Sequence, residues 1–245
     1  HEDILRYEEI ERLINIFMRL GVDKVRVTGG EPLVRRGVCD FLSRLASMNG
    51  LKDLSLTTNG VMLERKIGRV RNAGVRRINI SLDTLDRKKF ERITGMDRFD
   101  AVWRGILLAH QAGFDPVKIN TVVLAGINDD EICDLAKLSF SYPFHIRFIE
   151  YMPVGNCSAA PDRALLAPEI MERLQSIGKL SGVEKGPSDG PARRYRFEGA
   201  KGEIGFISAM SRHFCSECNR LRLTASGDLR TCLLSDDSED LKTPL

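Results

Sequence analysis

The chain has 245 residues, 42% hydrophobic and 29% charged, with 37 basic and 34 acidic side chains and a net charge of +3. That length suits one α/β barrel or two small domains, and that charge is too slight to point to nucleic acid. No run of about eighteen apolar residues predicts a membrane span, no signal peptide is visible, and six cysteines in a chain this long are not a disulfide scaffold. A reducing, cytoplasmic setting fits them best.

Ile10, Leu13, Ile14, Phe17 and Leu20 fall on one face of a helix over Tyr7–Leu20, which Gly21 ends. Lys24–Val27 then reads as a strand. The same unit recurs. Helices over Phe41–Met48, Leu63–Ala73 and Phe99–Ala112 are followed by Gly50, Gly74 and Gly113, and then by strands over Leu54–Thr58, Arg77–Leu82 and Val117–Leu124. A helix over Asp129–Phe140 and a strand over His145–Tyr151 complete the series. Strands alternating with helices of this length predict βαβ units and a parallel sheet.

Five residues on from Gly21, Gly50, Gly74 and Gly113 stand Arg26, Ser55, Asn79 and Lys118. Their same-face neighbours Thr28, Thr57, Ser81 and Asn120 are also polar, and Arg147 extends the set into the fifth strand. The alternate face carries Val25, Val27, Leu54, Leu56, Ile78, Ile80, Ile119 and Val123. A doubly covered sheet would be apolar on both faces, and a closed eight-stranded barrel would fill its lumen with branched aliphatics. The pattern predicts an incomplete TIM-type α/β barrel over 1–153, with helices outside and a polar lumen. Sites in such folds lie at the C-terminal ends of the strands. There the sequence places Thr28-Gly29-Gly30-Glu31-Pro32, Thr57-Thr58-Asn59-Gly60 and Ser81-Leu82-Asp83.

The repeat stops after Met152. Pro153-Val154-Gly155-Asn156 opens a loop, Pro168–Ile177 reads as a helix, and Ser181–Ala192, rich in Gly and Pro, as a linker or surface loop. Strand-like segments follow at Arg194–Phe197, Glu203–Ser208 and Leu221–Thr224. Residues 154–245 are expected to form a mainly antiparallel extension, separate in register, that caps the barrel mouth. A hairpin turn at Ala225-Ser226-Gly227-Asp228 brings Leu229–Cys232 back beside Cys218–Leu223. Cys215 and Cys218 have C-x2-C spacing, and Cys232 follows after thirteen residues. Three thiolates are one ligand short of a closed tetrahedral site. Zinc, with His213 as a possible fourth ligand, and an iron–sulfur cluster both suit this spacing, and a disulfide is a third option. Arg220 and Arg222, at alternate positions between the cysteines, point to an anionic substrate. Cys39 and Cys133 in helical stretches, and Cys157 in a loop, read as ordinary thiols.

Five stretches together resemble the molybdenum cofactor biosynthesis protein A family of radical S-adenosylmethionine enzymes, the GTP 3′,8-cyclases. They are Val25 to Pro32, Thr57 to Gly60, Asn79-Ile80-Ser81-Leu82-Asp83-Thr84-Leu85, Arg147-Phe148-Ile149-Glu150-Tyr151-Met152-Pro153, and Phe214 to Arg222. The resemblance covers almost the whole chain. It implies an incomplete six-strand barrel and two [4Fe–4S] clusters. The first cleaves S-adenosylmethionine to a radical that takes hydrogen from C3′ of GTP. C3′ then attacks C8 of the guanine, which the second cluster holds. By the same resemblance Cys215, Cys218 and Cys232 ligate the second cluster. Gly30, Ser81 and Met152 contact S-adenosylmethionine, with Glu31 near its amino group. Arg26, Thr57, Lys118, Arg220 and Arg222 contact GTP, with Lys24 and Arg147 as additions.

The family's C-x3-C-x2-C run and its C-terminal tail are not found in these 245 residues. The sequence therefore reads as an internal piece, and radical chemistry is expected of the parent protein, with substrate-side binding at most for the piece. The implied partners are GTP, S-adenosylmethionine and a reductant protein. A homodimer is left open, and no nucleic-acid or membrane partner is expected. Three alternatives stand beside this reading. They are a different radical enzyme with an auxiliary cluster, a Schiff-base aldolase using Lys118, and a non-catalytic zinc-stabilised nucleotide-binding module.

Overall fold

The structure, a computed structural model, describes residues 4–153, 164–184, 186, 190–212, 215 and 218–245. Helix α1 (Tyr7–Arg19) leads into β1 (Lys24–Val27). Then come α2 (Val38–Ala46), β2 (Asp53–Thr58), α3 (Leu63–Asn72) and β3 (Arg77–Ser81). Helices α4 (Arg87–Thr94) and α5 (Phe99–Gln111) precede β4 (Val117–Val123), and α6 (Ile132–Ser141) precedes β5 (His145–Glu150). The expected alternation is present. The additional helix α4 is very polar and buries only Phe90, so no apolar stripe announces it. Its ends are nonetheless marked, since the Asp86 side chain accepts from the Lys89 N–H and Gly95 closes it at φ 73°.

After β5 come α7 (Ala167–Leu174), β6 (Leu180–Val183), β7 (Arg193–Phe197) and β8 (Glu203–Ile207). These strands do not form a sheet of their own. The strand order is β1-β2-β3-β4-β5-β8-β7-β6 in one eight-stranded sheet. Pairing is parallel from β1 through β5 to β8, then antiparallel through β7 and β6. The expectation of a separate register is thus corrected for residues 180–207, and the linker read over Ser181–Ala192 begins inside β6. Without β8 the far side of β5 would be an unpaired edge of backbone donors and acceptors. Gly202 lets the new strand approach. Its N–H donates to the Ser139 carbonyl at 2.8 Å, and a Cβ there would run into the Phe144 backbone oxygen.

One face of the sheet is the core. Leu56, Ile78, Ile80, Ile119, Ile146 and Ile204 are fully buried, packed with Leu42 and Leu45 of α2, Val70 of α3, Ile106 of α5 and Leu135 of α6. The helices therefore cover one face only. Beyond β8 a small sheet of β9 (Arg222–Leu223), β10 (Asp228–Arg230) and β11 (Glu239–Asp240) contains the expected hairpin, with Leu229 opposite Leu223. It lies at the start of α1, where the Leu5 N–H donates to the Ala225 carbonyl at 2.8 Å. No helix among the described residues is long and apolar enough to cross a membrane.

Gly202→Ala should lower stability by about 1–3 kcal/mol, because the clash is with backbone and no side chain can move aside. A urea titration checks this, and an unchanged midpoint would show that β8 does not need the close approach.

Candidate functional site

Residues paired across parallel strands share a face. Arg26 stands opposite Ser55, and Ser55 opposite Arg77. Thr57, Asn79, Lys118, His145 and Glu203 form the next row. Ser81, Asn120, Arg147 and Gly205 form the one after. The glycine-based count slips by one pleat between β2 and β3, which puts Asn79 opposite Thr57, but it keeps every side chain on its face. Asn79 is 1% exposed, and Lys118 and Arg147 are each 8% exposed, so the middle of the face is enclosed, while Arg26 and Ser81 are exposed at its margins. The Arg147 Nη1 donates to Asn79 Oδ1 at 3.3 Å, and Asn79 Nδ2 donates to the Leu56 carbonyl at 3.2 Å. Gly205 leaves space for Arg147, since a Cβ there would lie 3.1 Å from its Cγ.

The charges are unbalanced toward cations. Arg26 donates from Nε to Ser55 Oγ at 3.3 Å. Burial, and then the Arg77 and Arg220 guanidinium groups, make its own charge harder to hold and push its pKa down. Asp53 pairs with Arg77 at the start of β2. Glu203, at the start of β8, takes Arg196 Nη2 at 2.8 Å and has Arg194 Nε at 3.0 Å. His145 Nε2 lies 3.6 Å from the same carboxylate. Burial, followed by Lys118, Arg147, Arg194 and Arg196, nevertheless holds the imidazole neutral, with its pKa down to about 3.

At the strand ends Gly29 takes φ 108°, a conformation only glycine adopts easily. A Cβ on Gly29 or Gly30 would meet nothing within 4 Å, so this backbone is open to a ligand. The Glu31 carboxylate accepts from Thr58 Oγ1 at 2.8 Å and from the backbone N–H groups of Leu33 at 3.0 Å and Asn59 at 2.6 Å. It clamps the end of β1 to the end of β2. Ser81 is exposed at the end of β3, and Met152 is half-buried beyond β5. Burial pushes the Asp83 carboxyl up, against the Val122 N–H that donates to it at 2.8 Å.

Cys215, Cys218 and Cys232 are free thiols, the first two exposed and the third half-buried. The Cys218 N–H donates to the Cys215 carbonyl at 3.2 Å, and the Leu234 N–H donates to Cys232 Sγ at 3.4 Å. A hydrogen bond to the Arg220 side chain lowers the Cys218 pKa, with the Arg220 backbone adding to it. Three unoxidised thiols, one already biased toward thiolate, suit a soft metal centre. Among the described residues, no three His, Cys, Asp or Glu side chains are gathered tightly enough to hold an ion. His213, Phe214, Ser216 and Glu217 lie outside the described residues, as do Cys157 and residues 154–156. Arg222 Nη1 donates to the Thr231 carbonyl at 3.2 Å across the hairpin. Lys24 is exposed at the start of β1, opposite Asp53.

Residues 1–139 match the Radical SAM superfamily, and residues 144–245 match Molybdenum Cofactor Synthesis C. The chain is 47% identical to the GTP 3′,8-cyclase of Heliobacterium modesticaldum, covering 100% of this chain and 76% of that one. It is 49% identical to the GTP 3′,8-cyclase of Thermodesulfovibrio yellowstonii, covering 99% and 75%. The chain belongs to the GTP 3′,8-cyclase family. Among solved structures, Streptococcus suis SuiB bound to S-adenosylmethionine superposes with a TM-score of 0.64 at 14% identity, covering 97% of this chain and 56% of that one. A radical SAM methyltransferase from Sphaerobacter thermophilus gives 0.57 at 14% identity, covering 92% and 61%. At such identities the likeness is one of fold, and it agrees with a partial TIM-type barrel.

In this cyclase-family chain one sheet face gathers Arg26, Thr57, Lys118 and Arg147, and the charge of Arg220, from the C-terminal part, is felt at Arg26. Asp53, Arg77, His145, Arg194, Arg196 and Glu203 went unassigned in the sequence. The first three were within reach, since each lies two residues before a residue already placed on the polar face. The last three enter only through the pairing of β5 with β8.

His145 sets an acid limb of stability. Its folded pKa is depressed, so below about pH 6.5 the unfolded chain takes up a proton that the folded chain refuses. Stability is full above that point and falls as pH drops toward about 3, with a contribution of up to ~1.4 kcal/mol per pH unit from this group. Urea unfolding of His145→Gln between these limits should show a shallower slope, and an identical slope would remove the assignment.

Proposed function

We propose that the chain acts in molybdenum cofactor biosynthesis as a GTP 3′,8-cyclase, converting GTP with S-adenosylmethionine to (8S)-3′,8-cyclo-7,8-dihydroguanosine 5′-triphosphate. The observation that carries this reading is the gathering of cations on the inner sheet face. Arg26, Lys118 and Arg147 come from three strands, and the charge of Arg220 is near enough to Arg26 to push its pKa down. A triphosphate is the class of ligand that such a set neutralises, and guanidinium forks suit its oxygens. Lys24 precedes Arg26 on the same face of β1, Arg222 is a further candidate cation on the cysteine-bearing hairpin, and Thr57 offers a hydroxyl beside Asn79.

At the C-terminal ends of the strands, Gly30, Ser81 and Met152 are the residues offered to S-adenosylmethionine. The open backbone at Gly29-Gly30 supports close approach by a ligand. Glu31 already accepts from three donors of the chain, so its first task is to hold this loop, and its remaining acceptor capacity is available to an ammonium group. Cys215, Cys218 and Cys232 would hold the iron–sulfur cluster on the guanine side. When bound, the clusters and S-adenosylmethionine supply the electron and the carbon radical that hydrogen abstraction requires. The chain's own part is to orient. Arginines at one end of GTP and the cysteine-bearing segment at the other would fix the ribose so that C3′ lies within reach of C8.

Calorimetry with GTP tests the phosphate side. Arg220→Ala should weaken binding about ten- to a hundredfold, the range expected for a charge-assisted hydrogen bond. Equal affinity in the variant would overturn the role of Arg220. Anaerobic metal analysis tests the cysteines, with about four irons and four sulfides expected for one cluster and both lost in Cys218→Ser. One zinc and no sulfide would reject the cluster reading.

A further inference from the structure

Glu150 is the last residue of β5 and is 1% exposed. Its Oε1 accepts from the Ala167 N–H at 2.8 Å and the Ser211 hydroxyl at 2.5 Å. Its Oε2 accepts from the Met210 N–H at 2.7 Å and the Ser211 N–H at 2.8 Å. Four donors fill a carboxylate's sites. They come from two separate stretches, so one side chain joins the end of β5 to the start of α7 and to the run that leads into Cys215. Leu166 has no side-chain acceptor to cap α7, and Glu150 takes the first helical N–H in its place. Burial works against the charge, but the bonds from Ser211, Ala167 and Met210 hold the carboxyl below its ordinary range.

The sequence neighbours give this knot a use. Met152 lies two residues after Glu150, and Cys215 four residues after Ser211. We propose that Glu150 is a positioning residue that fixes the seat of the segment carrying Cys215, Cys218 and Arg220 relative to the Met152 end of the lumen. What those two ends hold rests on the function proposed above, whereas the anchoring does not. Only a carboxylate presents two acceptor oxygens to these donors. A carboxamide turns its NH2 toward either the Met210 and Ser211 N–H groups or the Ala167 N–H. At least one buried backbone donor then loses its acceptor.

Hydrogen–deuterium exchange on the full chain tests the anchoring. Glu150→Gln should speed exchange over residues 218–224 about fivefold, the equivalent of one lost hydrogen bond of about 1 kcal/mol, while β3 residues 77–81 keep the parent rate. Ser211→Ala, which removes only the hydroxyl donor, should move the same residues in the same direction, and it decides the matter if the Gln variant does not fold. A cycle with Arg220→Ala reads the consequence. Glu150→Gln should weaken GTP binding when Arg220 is present and leave it unchanged when Arg220 is absent, whereas a general loss of structure would weaken both. Unchanged exchange over 218–224, or an equal rise over 77–81, overturns the proposal. A parent chain that does not bind GTP overturns the reading of the site instead, and exchange alone then decides the anchoring.

Discussion

Charge buried on the inner face of the sheet is the constraint around which this molecule is arranged. Lys118 and Arg147 sit at 8% exposure, and Arg26, Arg77 and Arg194 share their side of the sheet. Uncompensated buried cations are costly. The acids of this face, Asp53 and Glu203, are each the first residue of a strand. They neutralise Arg77, Arg194 and Arg196 near the N-terminal ends of the sheet. Arg26 lies in the row of Arg77, Lys118 in that of Glu203, and Arg147 in that of Arg194 across Gly205. Cations and acids are thus interleaved row by row, and the cations named here outnumber the two acids. His145 completes the arrangement by staying neutral, because a further charge in this row would have no acid to itself.

A second family of carboxylates works on backbone rather than on cations. Glu31 accepts from the N–H groups of Leu33 and Asn59. Glu131 accepts from the N–H groups of Leu85 and Asp86 and from Thr84 Oγ1. Glu150 accepts from Ala167, Met210 and Ser211. Each stands where a loop leaves or meets the barrel, and each ties together stretches distant in sequence. Loops held by such carboxylates lose conformational freedom during folding instead of during binding, which is the condition for a pre-organised site.

Much of this was legible from alternation alone. Arg26, Ser55, Thr57, Asn79, Lys118 and Arg147 lie on the predicted face because period two survives errors in register, including the one-pleat slip between β2 and β3. Gly21, Gly50, Gly74 and Gly113 each follow a helix where expected. Helix α4 was hidden by its polarity, and β6 by the glycines and prolines around it. The joining of β8 to β5 had no local signal, because it depends on pairing between stretches separated by α7, β6 and β7. For the same reason Glu203 and its arginines were invisible as part of the lumen. Glu150 stood inside a motif characteristic of the family, but its donors lie far along the chain at Ala167 and Ser211, so the motif could not disclose what the carboxylate does.

The lumen also explains why the two matched regions, 1–139 and 144–245, work as one body. The first region supplies Arg26, Asn79 and Lys118, and the second supplies Arg147, Glu203 and Arg220. Arg147 reaches Asn79 across β4, and Arg220 is close enough to Arg26 to weaken its hold on a proton. Apart, the first region would expose the β4 edge and leave Lys118 without His145 beside it. The second would leave Glu203, Arg194 and Arg196 as surface charges with little net effect. Together they add the repulsion of Arg220 to that which Arg77 already exerts on Arg26, and a polyanion placed among these groups would relieve it.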